Sequence, residues 1–450
     1  MSGDLLSLLA ARAEAGRPLR VGLIGAGKFG AMFLAQARRV PGLHVLGVAD
    51  LAPARARGAL LRAGWPEARF AAASLAEALA TGGTHVGDDA AALIAAAGVD
   101  VIVEATGVPA AGIAHCLLAI DYHRHIVMVN VEADALAGPI LARRAAEAGV
   151  VYSLAYGDQP ALIAELVEWA RVSGFEVICA GKGTRYLPAY HSSTPETVWE
   201  HYGLTPEQVA RGDVNPQMFN SFLDGSRSAI EMAAVANACA LTPQPDGLRF
   251  PPCGVDDLPH ICRPEAHGGR LAHAGTVEVV SSLERDGRPV CRDLRRGVFV
   301  TIAAPDEYVK QCFAEYGLVT DASGRYTALY RPYHLIGLEL AMSVLRVGLR
   351  GEATGCPTAF RGDVAAVAKR DLAAGERLDG EGGYTVYGKL LPAATSLERG
   401  LLPIGLARDL TLRHPVPAGH TLRWEDVHYE PTNPTVRMRR LMERTFGGAG

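Results

Sequence analysis

The sequence predicts an α/β fold: a parallel sheet in the first third, an α+β region in the middle and a small β region at the end. Three observations carry that expectation. Up to residue 153, β-branched runs alternate with alanine-rich helical stretches, the pattern of a parallel sheet with crossover helices. From 154 the strands mix with long polar loops rich in Pro, Asn and His. From about 360, short strands and Gly turns take over. The expected domains are 1–153, 154–350 and 351–450, the second closed by a helix at roughly 334–349 that can pack back on the first.

Bulk properties narrow the classes of function. The 450 residues suffice for about three domains with sizeable cores. With 49% hydrophobic residues, 20% charged and a net charge of -4, neither disorder nor a nucleic-acid surface is indicated. Eight cysteines show no CxxC pair and no disulfide spacing, which fits a reducing compartment, hence the cytoplasm. The opening MSGDLLSLLAARAEAG is a poor signal peptide, because Asp4 and later charges break its apolar stretch. No apolar run approaches the ~20 residues of a membrane helix. A small-molecule partner is therefore expected, with no nucleic acid and no membrane.

The first strand, RVGLI, runs into Gly25-Ala26-Gly27-Lys28-Phe29-Gly30 and then a helix. Glycines here let a backbone approach a pyrophosphate, and the helix N-terminus supplies N–H donors and a positive dipole. Asp50 falls 20 residues after Gly30, at the end of the second strand HVLGVAD, where a ribose-binding acid belongs. Strand, turn, helix and acid together predict a Rossmann dinucleotide-binding domain. Asp50 suits the free 2′-hydroxyl of NAD, whereas Arg55 or Arg57 could hold the 2′-phosphate of NADP, so both cofactors stay open. Thr106 and Gly107, after the strand VDVIVE, are placed near the nicotinamide end, with Asn130 and Glu132 beyond the strand HIVMV.

In the middle region, FEVICAGKG ends in Lys182 between Gly181 and Gly183, and the glycines are read as clearing space around the ammonium. Arg185, His191 and Ser192 follow in the same stretch. Further on, FLDGSRSAIEM places Arg227 and Glu231 four apart on one helical face, with Asp224 three residues before Arg227. The following AAVANACAL is uncharged, so the helix enters a core after one polar turn. That turn, with Asp224, Ser226, Arg227 and Ser228, is read as a binding site for phosphate or substrate oxygens. The plainer alternative is an Asp cap and a wet Arg–Glu pair. Asp158 precedes a helix with Pro160 near its start, as an N-cap would, and could also join Glu231 or Glu132 in a carboxylate group. Several carboxylates would suit a divalent metal, but no spacing establishes one, and Cys253, His260 and Cys262 match no zinc pattern.

Near the C-terminus RDLAAGERL (370–378) and HPVPAGHTL (414–422) echo each other, with Gly375 and Gly419 in matching places. Such an echo predicts a small β domain whose two halves use the same turn.

GAGKFG, VEATG and a strand ending in Asn130 resemble the nucleotide-binding domain of homoserine dehydrogenases. Two lysines of that family are absent: Glu132 follows Asn130-Val131, and Arg227 and Glu231 stand where the family's catalytic helix has Asp and Lys. Homoserine is thereby disfavoured. Nearly the whole chain is more similar to a narrower group, the DXR-like reductoisomerases that carry a C-terminal SAF domain. The shared stretches are YGDQPAL (156–162), GKGTRYLPAYHSSTP (181–195), NPQMFNSFLDGSRSAIEMAA (215–234), FPPCGVDDLP (250–259) and GGYTVYGKLLPA (382–393). The resemblance implies NADPH-dependent conversion of 1-deoxy-D-xylulose 5-phosphate to 2-C-methyl-D-erythritol 4-phosphate, in isoprenoid precursor synthesis. It also implies a phosphorylated sugar substrate and a homo-oligomer. In that reading Lys182 stabilises an alkoxide or holds the phosphate, and Glu231 or Asp158 moves protons. The alternatives are a plain dehydrogenase of another polyol or sugar acid, and a non-enzymatic dinucleotide sensor or assembly protein.

Overall fold

In the computed structural model, residues 3–203, 205, 207 and 215–447 are described below. The chain divides into two compact units, residues 1–162 with 334–358, and 163–333 with 359–450. The expected three consecutive segments are thus grouped differently. The helix that closes the middle segment, Ala341–Arg350, counts with the first unit, and the C-terminal β region counts with the second. Among the described residues no helix is long and apolar enough to cross a membrane.

The first unit holds a six-stranded parallel sheet: β1 (Leu19–Ile24), β2 (Leu43–Ala49), β3 (His85–Gly87), β4 (Val101–Glu104), β5 (His125–Met128) and β6 (Tyr152–Leu154). Their spatial order is β3-β2-β1-β4-β5-β6, which reverses direction between β1 and β4. That reversal is the topological switch of a doubly wound dinucleotide fold, and it lies beside the glycine turn after β1. Central strands read as continuous apolar runs because both faces are covered: Val21, Leu23, Val101 and Val103 are all fully buried. Leu340, Val344, Leu345 and Val347 from the returning helix segment join this core.

In the second unit a four-stranded mixed sheet runs β10-β9-β7-β8, comprising β7 (Glu176–Thr184), β8 (Thr276–Ser281), β9 (Val298–Ala303) and β10 (Tyr326–Arg331). The helix Ser226–Cys239 packs on it, apolar from Met232 onward apart from the buried Asn237. On another face the same helix meets β11 (Gly362–Ala368) and β13 (Val386–Pro392), which pair antiparallel and are separated in the chain by β12 (Arg377–Asp379). A fully buried Arg439 in the helix Pro434–Phe446 bonds both oxygens of Asp363 on β11, at 2.9 and 2.6 Å, and so clips the chain end to that hairpin.

The C-terminal echo is a spatial pair. Leu372 and Val416, equivalent in the two stretches, exchange both backbone hydrogen bonds, at 2.9 and 3.0 Å. Gly375 donates to Leu412 and Gly419 to Ala368, the same offset in each half. Both glycines turn with left-handed φ, +79° and +77°, which is why the repeat keeps glycine there.

One buried carboxyl in the first unit titrates unusually. Asp134 is fully buried and accepts the Tyr152 hydroxyl at 2.7 Å, while its second oxygen has no hydrogen-bond partner among the described residues. Burial pushes its pKa up to about 7, against that hydrogen bond. A raised carboxyl stabilises the fold below the unfolded value near 4 and loses that contribution as pH climbs to about 7. Wild type should therefore lose, between pH 5 and 8, on the order of 2–3 kcal/mol relative to Asp134→Asn. Denaturant melts of both proteins at the two pH values would show it, and parallel pH profiles would refute the assignment.

Candidate functional site

The glycine turn divides its labour. Gly25 has φ +95°, and a Cβ there would lie 2.6 Å from the Ala105 carbonyl oxygen. A Cβ on Gly30 would lie 2.4 Å from the Gly25 oxygen, so this glycine allows the helix Lys28–Ala37 to seat against the turn. Gly27 is different. Its φ of -68° suits any residue, and a Cβ there would meet nothing within 4 Å. It caps the helix with open space above it, which is the cradle a pyrophosphate needs. Lys28 is exposed and Phe29 half-buried on the first turn of that helix.

Asp50 closes the turn. Its carboxylate accepts the N–H groups of Ala26 and Ala52, each at 2.9 Å, and both oxygens lie 2.9 Å from Arg55 Nη2. Burial opposes the charge, but Arg55 and the two N–H groups outweigh it and hold the carboxyl below its usual range. The acid and the arginine that sequence weighs as rival selectors of the cofactor's 2′ group are therefore partners. Arg57 instead reaches the Phe70 carbonyl at 3.3 Å.

At the end of β4, Thr106 donates to Glu104 at 2.6 Å and accepts from Asn130 at 3.2 Å. Asn130 also caps the helix Val131–Glu147 by accepting the Ala133 N–H at 3.1 Å. Gly107 is exposed with φ +68°, and Glu132 is buried on the first turn of the capped helix. Asp158, also in the first unit, accepts the N–H of Gln159, which begins the helix Gln159–Val172.

In the second unit, β7 and the helix Ser226–Cys239 bring three charged residues together. Lys182 Nζ donates to Glu231 Oε2, and Arg227 Nε donates to Glu231 Oε1 at 2.8 Å. Side-chain exposures of 5%, 3% and 18% for Lys182, Glu231 and Arg227 show that the Arg–Glu pair is no wet surface pair. Burial works against Glu231's charge, but Lys182 and then Arg227 outweigh it, so its pKa falls below the ordinary range. The glycines flanking Lys182 act otherwise than expected. A Cβ on Gly181 would lie 1.8 Å from the Glu278 oxygen, and one on Gly183 would lie 1.9 Å from the Leu294 oxygen. They admit neighbouring backbone on the opposite face of the strand, because successive residues alternate faces. Arg185, just past β7, makes no hydrogen bond or ion pair among the described residues, and its Nε is buried.

The other expected substrate ligands are spent internally. Asp224 is fully buried, accepts the Ser226 N–H at 2.9 Å and lies 2.7 Å from Lys369 Nζ. Lys369 donates to the carbonyls of Ser193 and Gly383, at 2.8 and 2.7 Å. Ser226 Oγ accepts the Gly388 N–H of β13 at 2.8 Å, Ser228 is buried, and the exposed Ser192 donates to the Ala189 carbonyl. His191 Nδ1 faces the Asp224 carbonyl at 2.7 Å and must carry the proton there, since a carbonyl only accepts. Its Nε2 then accepts the Tyr186 hydroxyl at 2.9 Å. Sequence reasoning missed Lys369, whose signal is a lysine directly after the seven-residue strand β11, apolar but for Asp363. The pair Cys253 and Cys262 lies in the buried core with Cys179, and no group of His, Cys, Asp and Glu among the described residues could hold a metal.

Residues 157–340 match the family model described as "Oxidoreductase DRL, catalytic domain". That stretch contains Lys182, Arg185, Arg227 and Glu231. No curated protein matches the chain. Among solved structures, it is similar to myo-inositol dehydrogenase from Lactobacillus casei in complex with NAD(H) and myo-inositol, at 17% identity over 40% of this chain and 50% of that one, TM-score 0.28. An oxidoreductase from Agrobacterium radiobacter in complex with NAD+, L-tartaric acid and magnesium aligns at 20% identity over 37% and 44%, TM-score 0.27. An oxidoreductase domain protein from Kribbella flavida aligns at 16% over 39% and 46%, TM-score 0.29. The chain thus spans about half the length of each of these structures or less.

Two outcomes follow from this geometry. Gly27→Val should fold as wild type, since the backbone permits it and the space is open, yet NADPH binding should be lost. Unchanged NADPH affinity by titration calorimetry would refute the cradle. Lys369→Met leaves Asp224 buried without its cation and should cost about 3–5 kcal/mol, read as a drop in denaturation midpoint. A loss below about 1 kcal/mol would show that Asp224 is satisfied by its neighbours alone.

Proposed function

We propose that the chain is an NADPH-dependent reductoisomerase acting on 1-deoxy-D-xylulose 5-phosphate, with NAD as the alternative cofactor. The observation that carries this reading is the buried Lys182–Glu231–Arg227 cluster inside the stretch that matches an oxidoreductase catalytic domain. The open cradle above Gly27 fits a dinucleotide's pyrophosphate. When bound, that cofactor would supply the hydride that reduces the rearranged aldehyde.

Lys182 would stabilise the alkoxide formed when a substrate hydroxyl loses its proton; Glu231 takes one of the ammonium's three donors and fixes its direction. A carboxylate held between two cations is a weak base, so in this reading Glu231 positions Lys182 and Arg227, and Asp158 is the proton acceptor to test. Arg227 and Arg185 would hold the substrate phosphate, whose planar, bidentate recognition suits guanidinium. We also infer a homo-oligomer, supported by exposed apolar side chains near the sheet edge: Tyr316, Val319, Leu329 and Tyr330 are 84%, 50%, 39% and 36% exposed.

The full chain with NADPH and 1-deoxy-D-xylulose 5-phosphate, followed at the nicotinamide absorbance with product identification, tests the reading. Turnover to 2-C-methyl-D-erythritol 4-phosphate is expected. NADPH oxidation only with polyols or sugar acids would replace it with a plain dehydrogenase. Arg227→Ala should raise KM for the phosphorylated substrate roughly ten- to hundredfold and leave NADPH affinity unchanged. Because its partner is buried, the same variant should also lower the melting temperature measurably. Normal KM in that variant would remove Arg227 from the phosphate site.

A further inference from the structure

The helix Ser226–Cys239 has a second working face. At about 100° per residue, Ala229 lies about 200° around the helix from both Arg227 and Glu231. On Ala229's side is a cavity of about 160 Å³ within the second unit, also bordered by β13. Its apolar walls include Ala229, Leu248 and Phe250, and its polar walls include Asp246, Tyr387 and Lys389. This is the scale of an engineered cavity of about 150 Å³ that admits benzene, so a ligand of about six to eight heavy atoms fits.

Its walls are preformed. Tyr186 stacks on Phe250 at 4.0 Å, and His191, a further lining residue, stacks on Tyr387 at 4.4 Å. Glu278 accepts the N–H groups of Arg249 and Phe250, at 3.1 and 3.3 Å, which holds the loop bearing Phe250. His191 has both ring nitrogens engaged, so it shapes the cavity and leaves recognition to other groups.

Two opposite charges remain. Among the described residues neither the Lys389 ammonium nor the Asp246 carboxylate makes a hydrogen bond or ion pair, with each other or with a neighbour, and the Tyr387 hydroxyl makes no hydrogen bond. A simple anion would meet Lys389 but be repelled by Asp246, and a simple cation would meet the reverse. A small zwitterion satisfies both, with Phe250 and Leu248 left to receive a short side chain. We propose that this cavity binds a short neutral α-amino acid, its carboxylate on Lys389 and its ammonium on Asp246.

The test uses the full chain, thermal melts and titration calorimetry, with L-alanine, L-serine, L-threonine and L-valine as probes and propionate and propylamine as single-charge controls. At least one amino acid should raise the melting temperature saturably, and both controls should bind at least about tenfold more weakly, since each forfeits one charge-assisted contact. Lys389→Met should weaken amino-acid binding about tenfold or more. Ala229→Leu should fill the cavity and abolish binding. Lys389 sits half-buried on a strand, so its variant decides the matter should Ala229→Leu fail to fold. The proposal is overturned if none of the four amino acids binds, if propionate binds as tightly as they do, or if Lys389→Met binds them like wild type.

Discussion

Glu231 between Lys182 and Arg227 is the contact on which the second unit turns. A carboxylate with 3% side-chain exposure is unfavourable unless its charge is met, and here two cations meet it from a strand and from its own helix. The pairing sets where the helix Ser226–Cys239 lies on β7, and the apolar remainder of that helix then packs against the sheet. Removing Glu231 leaves two cations without that carboxylate, and removing either cation strips one carboxylate oxygen of its donor, so the three residues are coupled energetically as well as spatially.

The same helix is anchored at its start by a second buried pair. Lys369 and Asp224 tie the segment before the helix to β11's end, and Ser226 ties its first residue to β13. The C-terminal strands are therefore part of the framework that holds the charged cluster. This is why residues 359–450 group with 163–333. Polar residues that look available in the sequence, Asp224, Ser226 and His191, are consumed in that anchoring.

In the first unit the decisive constraint is steric. Gly25 and Gly30 are required because backbone oxygens lie 2.6 and 2.4 Å from where a Cβ would be, whereas a Cβ on Gly27 would meet nothing within 4 Å among the described residues. Asp50 and Arg55 form one device: the arginine's side chain is 60% exposed while the acid is buried, so the guanidinium is the outward group of the pair.

The sequence alone determined the parallel sheet, the glycine turn with its acid, the charged first turn of the central helix and the C-terminal echo. Each is a local pattern, a period of apolar residues or a fixed offset between glycines, and local patterns survive in one dimension. The pairing of Leu372 with Val416 adds that the echoing halves fold onto each other. The packed chain was needed to place Glu231 between two cations, to give Asp224 to Lys369 145 residues away, and to turn the glycines beside Lys182 towards neighbouring backbone. It also decided that Ala341–Arg350 returns to the first unit. Charge partners and burial depend on which distant segments pack together, and a residue's type says what it can bond to without saying which neighbour the fold will bring.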